Sequence, residues 1–112
     1  IIQNCLANVD QVLVEAEQLG AKVILTTVFP VGEVPLERKI VWSPAIGEAV
    51  KTVNEQIYAK ASDTVFIFDA YELLVADRGL LNRDFAFDEL HLNDAGYEQL
   101  NQQLIQFLRI LP

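Results

Sequence analysis

The chain holds no methionine, one cysteine, one histidine, one tryptophan and only eight basic residues in 112, and each shortage removes possibilities. A single cysteine, Cys5, cannot form an internal disulfide, and its place among the apolar residues of a helical pattern predicts a small core hydrophobe. Sixteen acidic residues against eight basic ones give a net charge of -8 with no basic cluster, so nucleic acid and anionic membrane surfaces are repelled rather than gathered. No apolar run approaches the roughly 20 residues that cross a bilayer, so no membrane span is expected. The lack of methionine, position 1 included, leads to the expectation that Ile1 is not a natural translation start.

What is present is core material. A hydrophobic content of 52% in a chain of one-domain size is enough to build an interior and too much for a disordered segment. From Ile2 to Leu19, Ile2, Cys5, Leu6, Val9, Val12, Leu13, Ala16 and Leu19 recur at three- and four-residue steps, predicting a helix that Gly20 stops. "KVILTTV", Lys22 to Val28, and "TVFIFD", Thr64 to Asp69, are β-branched and apolar without alternation, as in strands buried on both faces of a parallel sheet. Between them lie a proline-rich loop, Phe29 to Pro44, and a second helix carrying Ile46, Val50, Val53, Ile57 and Ala61, with Ser43 and Pro44 as its start signal.

An irregular acidic segment with Tyr71, Leu73 and Leu74 follows, and a last helix opens near Asn93 or Asp94 with Tyr97, Leu100, Leu104, Phe107 and Leu108 on one face. Two strands buried on both faces need neighbours that this chain does not supply. The expectation is therefore a three-layer α/β/α domain with a parallel sheet, residues 1–112 forming its C-terminal half and an N-terminal half completing the sheet.

The stretch "DELHLNDAGY" contains the only histidine, three residues after an aspartate and just before that last helix. Asp88 and His91 so placed suit a carboxylate that takes the ring proton of the imidazole, fixes its tautomer and leaves the other nitrogen as a general base. Spacing alone favours a pair that merely stabilises the last helix, with Asp88 simply ion-pairing the histidine. A metal site built from Asp84, Asp88, His91 and Asp94 is a further alternative, although no second histidine or cysteine supports it. Asp69, ending a strand, raises the idea of a phospho-accepting aspartate, against which stands its more ordinary use as a turn former or the cap of the next element.

The run "DELHLNDAGYEQLNQQLIQFL" resembles the last block of the SGNH, or GDSL-type, hydrolases, where Asp-x-x-His is followed by an asparagine, then Gly-Tyr, then the final helix. The resemblance extends back through "VFIFDAYELL", "VNEQIYAKA" and "EAEQLGAKVILTTVFPV", so it covers essentially the whole chain. It implies a flavodoxin-like SGNH fold, with Asp88 and His91 as catalytic acid and base and Asn93, Gly96 and Tyr97 opening the last helix. It also implies a serine-dependent esterase or lipase-like acylhydrolase acting on a small-molecule ester or acyl substrate, without metal or organic cofactor.

The family's Gly-Asp-Ser block and its oxyanion-hole glycine and asparagine are absent, and the two serines, Ser43 and Ser62, lack a nucleophile's strand-to-helix elbow. The nucleophile is thus expected from the N-terminal half. Phe29, Pro30 and Trp42 are candidates for an apolar wall against the acyl group, with packing of the loop onto its own domain as the alternative. A non-catalytic domain of the same fold, or a metal or regulatory binding module, are the rival functions.

Overall fold

A computed structural model describes residues 1–112. Helix α1, Ile2–Gln18, ends where the amides of Gly20 and Ala21 bond back to the carbonyls of Glu17 and Ala16, both at 2.9 Å, the paired bonds of a Schellman stop. Strand β1, Val23–Thr26, follows, then the long loop, which contains a 3-10 turn at Leu36–Arg38. Helix α2, Ala45–Tyr58, leads to strand β2, Val65–Phe68. The two strands pair in parallel, Val23 with Val65 through Thr26 with Phe68.

The segment after β2, expected to be irregular, contains a five-residue helix α3, Ala70–Leu74. Its cause is Asp69, whose carboxylate accepts the Glu72 amide as an N-cap. Asp69 also accepts the Tyr58 hydroxyl at 2.6 Å and the Thr27 hydroxyl at 3.3 Å, so this carboxylate is committed to structure. Burial and the bond to Asp69 together push the Tyr58 phenol above its ordinary range. Further 3-10 turns at Asp77–Gly79 and Arg83–Phe85 precede α4, Asp94–Ile110, where Asn93 is the cap, its Oδ1 accepting the Gly96 amide at 2.9 Å.

Strand alternation assigns the layers. Ile24, Thr26 and Phe68 share a hollow with Tyr97, Leu100 and Leu104 of α4, whereas Val65 on the opposite face borders Leu13 and Val14 of α1. Helices α1 and α2 thus cover one face and α4 the other, the order that an α/β/α sandwich requires. Phe68, Ala70, Leu74, Leu81, Leu92 and Leu100 form the core, with Phe29, Phe85, Leu104 and Phe107 packed against it; Phe68 meets Phe107 edge to face at 5.4 Å.

The other flank is open. Along α1 only Leu6 is buried; Cys5, expected in the core, is exposed, as are Val12 and Leu19. These three lie seven residues apart, on one line of the helix beside the inward stripe of Leu6, Val9 and Leu13, and nothing in the chain reaches that line. β1 also departs from expectation, since Ile24 is exposed on one face and the strand is paired on one edge only. Tyr97 and Leu108, placed on the inward face of α4 by their spacing, are half exposed at its margins, and Ala61 lies beyond the end of α2.

Overall dimensions agree. The chain is a slab of 48 × 32 × 18 Å with a radius of gyration of 15.5 Å, against about 13 Å for a compact fold of this length. Its surface of 7720 Å² exceeds the roughly 6200 Å² of a compact monomer of this mass. No helix is long and apolar enough to cross a membrane.

Candidate active site

The site is a tight turn set on the core between the last 3-10 turn and α4. Ala86 and Leu92 face each other across an antiparallel bridge, with residues 87 to 91 as the connection. Leu92 is buried, which anchors the base of the turn immediately beside His91. On the far side Asn93 links the last 3-10 turn to α4, since its amide donates to the Asp84 carbonyl at 2.9 Å while its oxygen caps α4. Gly96 packs so closely that a Cβ there would meet the Phe85 carbonyl oxygen at 2.7 Å, so no larger residue fits without moving backbone.

Within the turn Asp88 has two tasks. Its Oδ1 accepts the backbone amides of Leu90 at 2.8 Å and His91 at 2.7 Å, which shapes the turn; both carboxylate oxygens lie 2.9 Å from His91 Nδ1. The Leu90 amide foremost, and then the His91 side chain, hold the Asp88 carboxyl below the ordinary carboxylate value. An ionised carboxylate only accepts, so Nδ1 carries a proton, and in the neutral imidazole Nε2 is the basic nitrogen. His91 is 68% exposed and Asp88 32%, so the imidazole faces outward from a supported base.

The structure brings Asp88, His91, Asn93 and Gly96 together and leaves the other candidates apart. Ser43 accepts the Ala45 amide at the start of α2, Ser62 accepts those of Thr64 and Val65, and neither is hydrogen-bonded to His91. Asp84, Asp88, His91 and Asp94 do not converge, and no group of three or more such side chains is placed to hold a metal ion. Phe29 is half buried against the core and borders the hollow beside Tyr97, Pro30 is buried, and Trp42 is half buried elsewhere in the loop.

Three residues in the surroundings of the site escape sequence reasoning. Asn54, buried within α2, donates to the Val28 carbonyl at 3.0 Å and accepts its amide at 2.7 Å, so a side-chain amide pins the chain where it leaves β1. Glu89, inside the site turn, is buried and paired with Arg38 of the loop. A buried asparagine in a helix interior was the one available signal; a pair 51 residues apart gives none.

Comparison with solved structures identifies the architecture. A GDSL-like lipase from Bacteroides thetaiotaomicron superposes over 97% of this chain with a TM-score of 0.80 at 24% identity. A proposed acylhydrolase from Bacteroides fragilis does so over 97%, with a TM-score of 0.80 at 22% identity. The chain has the GDSL-type, or SGNH, hydrolase fold. A proposed platelet activating factor from Streptococcus pneumonia gives a TM-score of 0.77 over 96% of the chain at 22% identity. The match takes in 53%, 52% and 51% of those three chains respectively, so this chain spans about half the length of the solved structures it matches. No family profile matches the sequence, and no curated protein matches it significantly.

Proposed function

We propose that residues 1–112 are the C-terminal portion of a serine-dependent ester or acyl hydrolase, with His91 as general base and Asp88 as the acid that orients it. The observation that carries this reading is the carboxylate at 2.9 Å on Nδ1 of an exposed imidazole whose Nε2 is left available. The free edge of β1 and the bare line on α1 are where the N-terminal portion, with the remaining strands, would complete the sheet and the layer over it.

The chemistry follows from the two side chains. Nε2 takes the proton of a serine hydroxyl supplied by the rest of the domain as that oxygen attacks the acyl carbon. The resulting imidazolium is stabilised by the ionised Asp88 and then gives its proton to the leaving alcohol. Water repeats the sequence to release the acid, and amide donors outside this chain would stabilise the oxyanion. No step calls for a metal or an organic cofactor. Phe29, beside the apolar hollow, and Trp42 in the same loop are the proposed acyl contacts, with Pro30 fixing the loop between them.

The test is turnover of simple aryl esters by the full-length protein. His91→Ala is expected to lower kcat by roughly a thousandfold or more, with the melting temperature unchanged because the ring is exposed. Asp88→Asn is expected to lose a comparable or smaller factor through the wrong tautomer. Unchanged turnover in His91→Ala would sink the assignment and favour a non-catalytic domain that keeps this turn for packing.

A further inference from the structure

The turn that carries Asp88 and His91 is built inside out. Phe87 and Leu90 are 77% and 53% exposed, whereas Glu89, charged and lying between them, has a side chain only 3% exposed. Hydrophobic burial alone would turn the leucine inward and the carboxylate out. A charge in that position costs desolvation free energy that an apolar residue would not, so its use there asks for a reason other than stability.

Its contacts supply one. Glu89 is ion-paired with Arg38, in the 3-10 turn of the loop that leaves β1. The Glu89 carbonyl accepts the amide of Gly32 from the same loop at 2.8 Å, and Gly32 lies so close that a Cβ there would stand 3.1 Å from Glu89 Cα. Glu89's own amide, then the Arg38 guanidinium, hold its carboxyl below the ordinary glutamate value, so the pair stays charged. One loop thus grips the residue next to Asp88 by side chain and by backbone.

We propose that Arg38 and Glu89 are positioning residues that clamp the loop after β1 onto the Asp88–His91 turn and hold the imidazole in its working orientation. The clamp makes the base's geometry depend on the loop that borders the C-terminal end of the sheet, where ligands of open α/β folds lie. A substrate that shifts this loop therefore shifts His91 with it. The inference rests on the reading of His91 as general base, and its test separates the two.

In the full-length protein Arg38→Ala is expected to lower kcat by between about 10- and 100-fold with KM within about twofold, as a displaced base would. Arg38→Lys, which keeps the charge, should recover most of the loss. The proton NMR signal of the Nδ1–H held by Asp88 should broaden or vanish in Arg38→Ala and persist in Arg38→Lys. Where Arg38→Ala does not fold, Gly32→Ala probes the same grip without touching the ion pair and should lower kcat in the same sense. Unchanged kcat and an unchanged Nδ1–H signal overturn the clamp, as does a loss of activity that only follows the folded fraction. If His91→Ala leaves turnover intact, the hydrolase reading fails and the Nδ1–H signal alone decides the clamp.

Discussion

The two flanks of this molecule have had their apolar residues treated in opposite ways. Around the turn at Asp88 and His91, Leu74, Leu81, Leu92 and Leu100 are buried, and every buried side-chain polar atom has a partner. On the flank made by α1 and the outer edge of β1, Val12 is 61% exposed, Leu19 84% and Ile24 38%. Composition does not explain the contrast, since both flanks carry large aliphatic residues. One flank has its packing partner within residues 1–112 and the other does not. The difference teaches that residues 1–112 pack fully around Asp88 and His91 and leave apolar surface uncovered along α1 and the outer edge of β1.

The contrast breaks most visibly at Val12. If the bare line on α1 is an interior surface of the full-length protein, Val12→Asp buries an unpaired carboxylate there and should lower stability by about 3 kcal/mol or more. Urea unfolding of the full-length protein measures this. A change within about 0.5 kcal/mol, the ordinary cost of a surface substitution, would make the line a free surface and remove the main support for a missing neighbour. Cys5, on the same line, offers a companion reading: its thiol should resist alkylation in the folded full-length protein and react once denaturant is added.

The self-sufficient flank is sharpened at Gly96. There an added methyl meets the Phe85 carbonyl oxygen at 2.7 Å and the Leu92 Cβ at 3.1 Å, and backbone must move for it to fit. Gly96→Ala is expected to cost about 1–3 kcal/mol, the range for overpacking a dense interior. Because it displaces Leu92, next to His91, turnover should fall as well. Full stability in Gly96→Ala would mean that the packing under the site is looser than its distances indicate.

These positions also mark how far a sequence can be read. The stop of α1 at Gly20 and the opening of α4 near Asn93 or Asp94 are legible because both are local, completed within a few residues by backbone geometry, and the structure gives the cap to Asn93. Helix α3 does not show in the sequence because five residues are too few to make a period, and a strand-ending aspartate such as Asp69 serves turns as readily as caps. Apolar spacing puts Cys5 and the outer face of β1 in a core because it reports which residues share a face, not whether anything covers it. Of the site, Asp88 and His91 are three residues apart and could be paired from spacing. Asn54 with Val28, and Arg38 with Glu89, join segments 26 and 51 residues apart, which only the folded chain brings together.

The smallest expected effect concerns the charge that shapes the turn. Asp88 is held below the ordinary aspartate value of 3.8, first by the Leu90 amide and then by His91, so the folded state binds the proton at this site less readily than the unfolded chain. The sign follows from linkage: a lowered carboxyl contributes stability above about pH 4 that is lost as pH falls through its folded value. Asp88→Asn keeps an oxygen that can accept the two turn amides but removes the ionisation. Its deficit relative to the parent should therefore be greatest near neutral pH and shrink on acidification toward pH 3. Urea midpoints at the two pH values measure it, and because the carboxylate is partly exposed the shift should be modest. A deficit that stays constant between them would mean that the turn depends on the shape of the Asp88 side chain and not on its charge, and His91 would then need its orientation from the clamp at Glu89 alone.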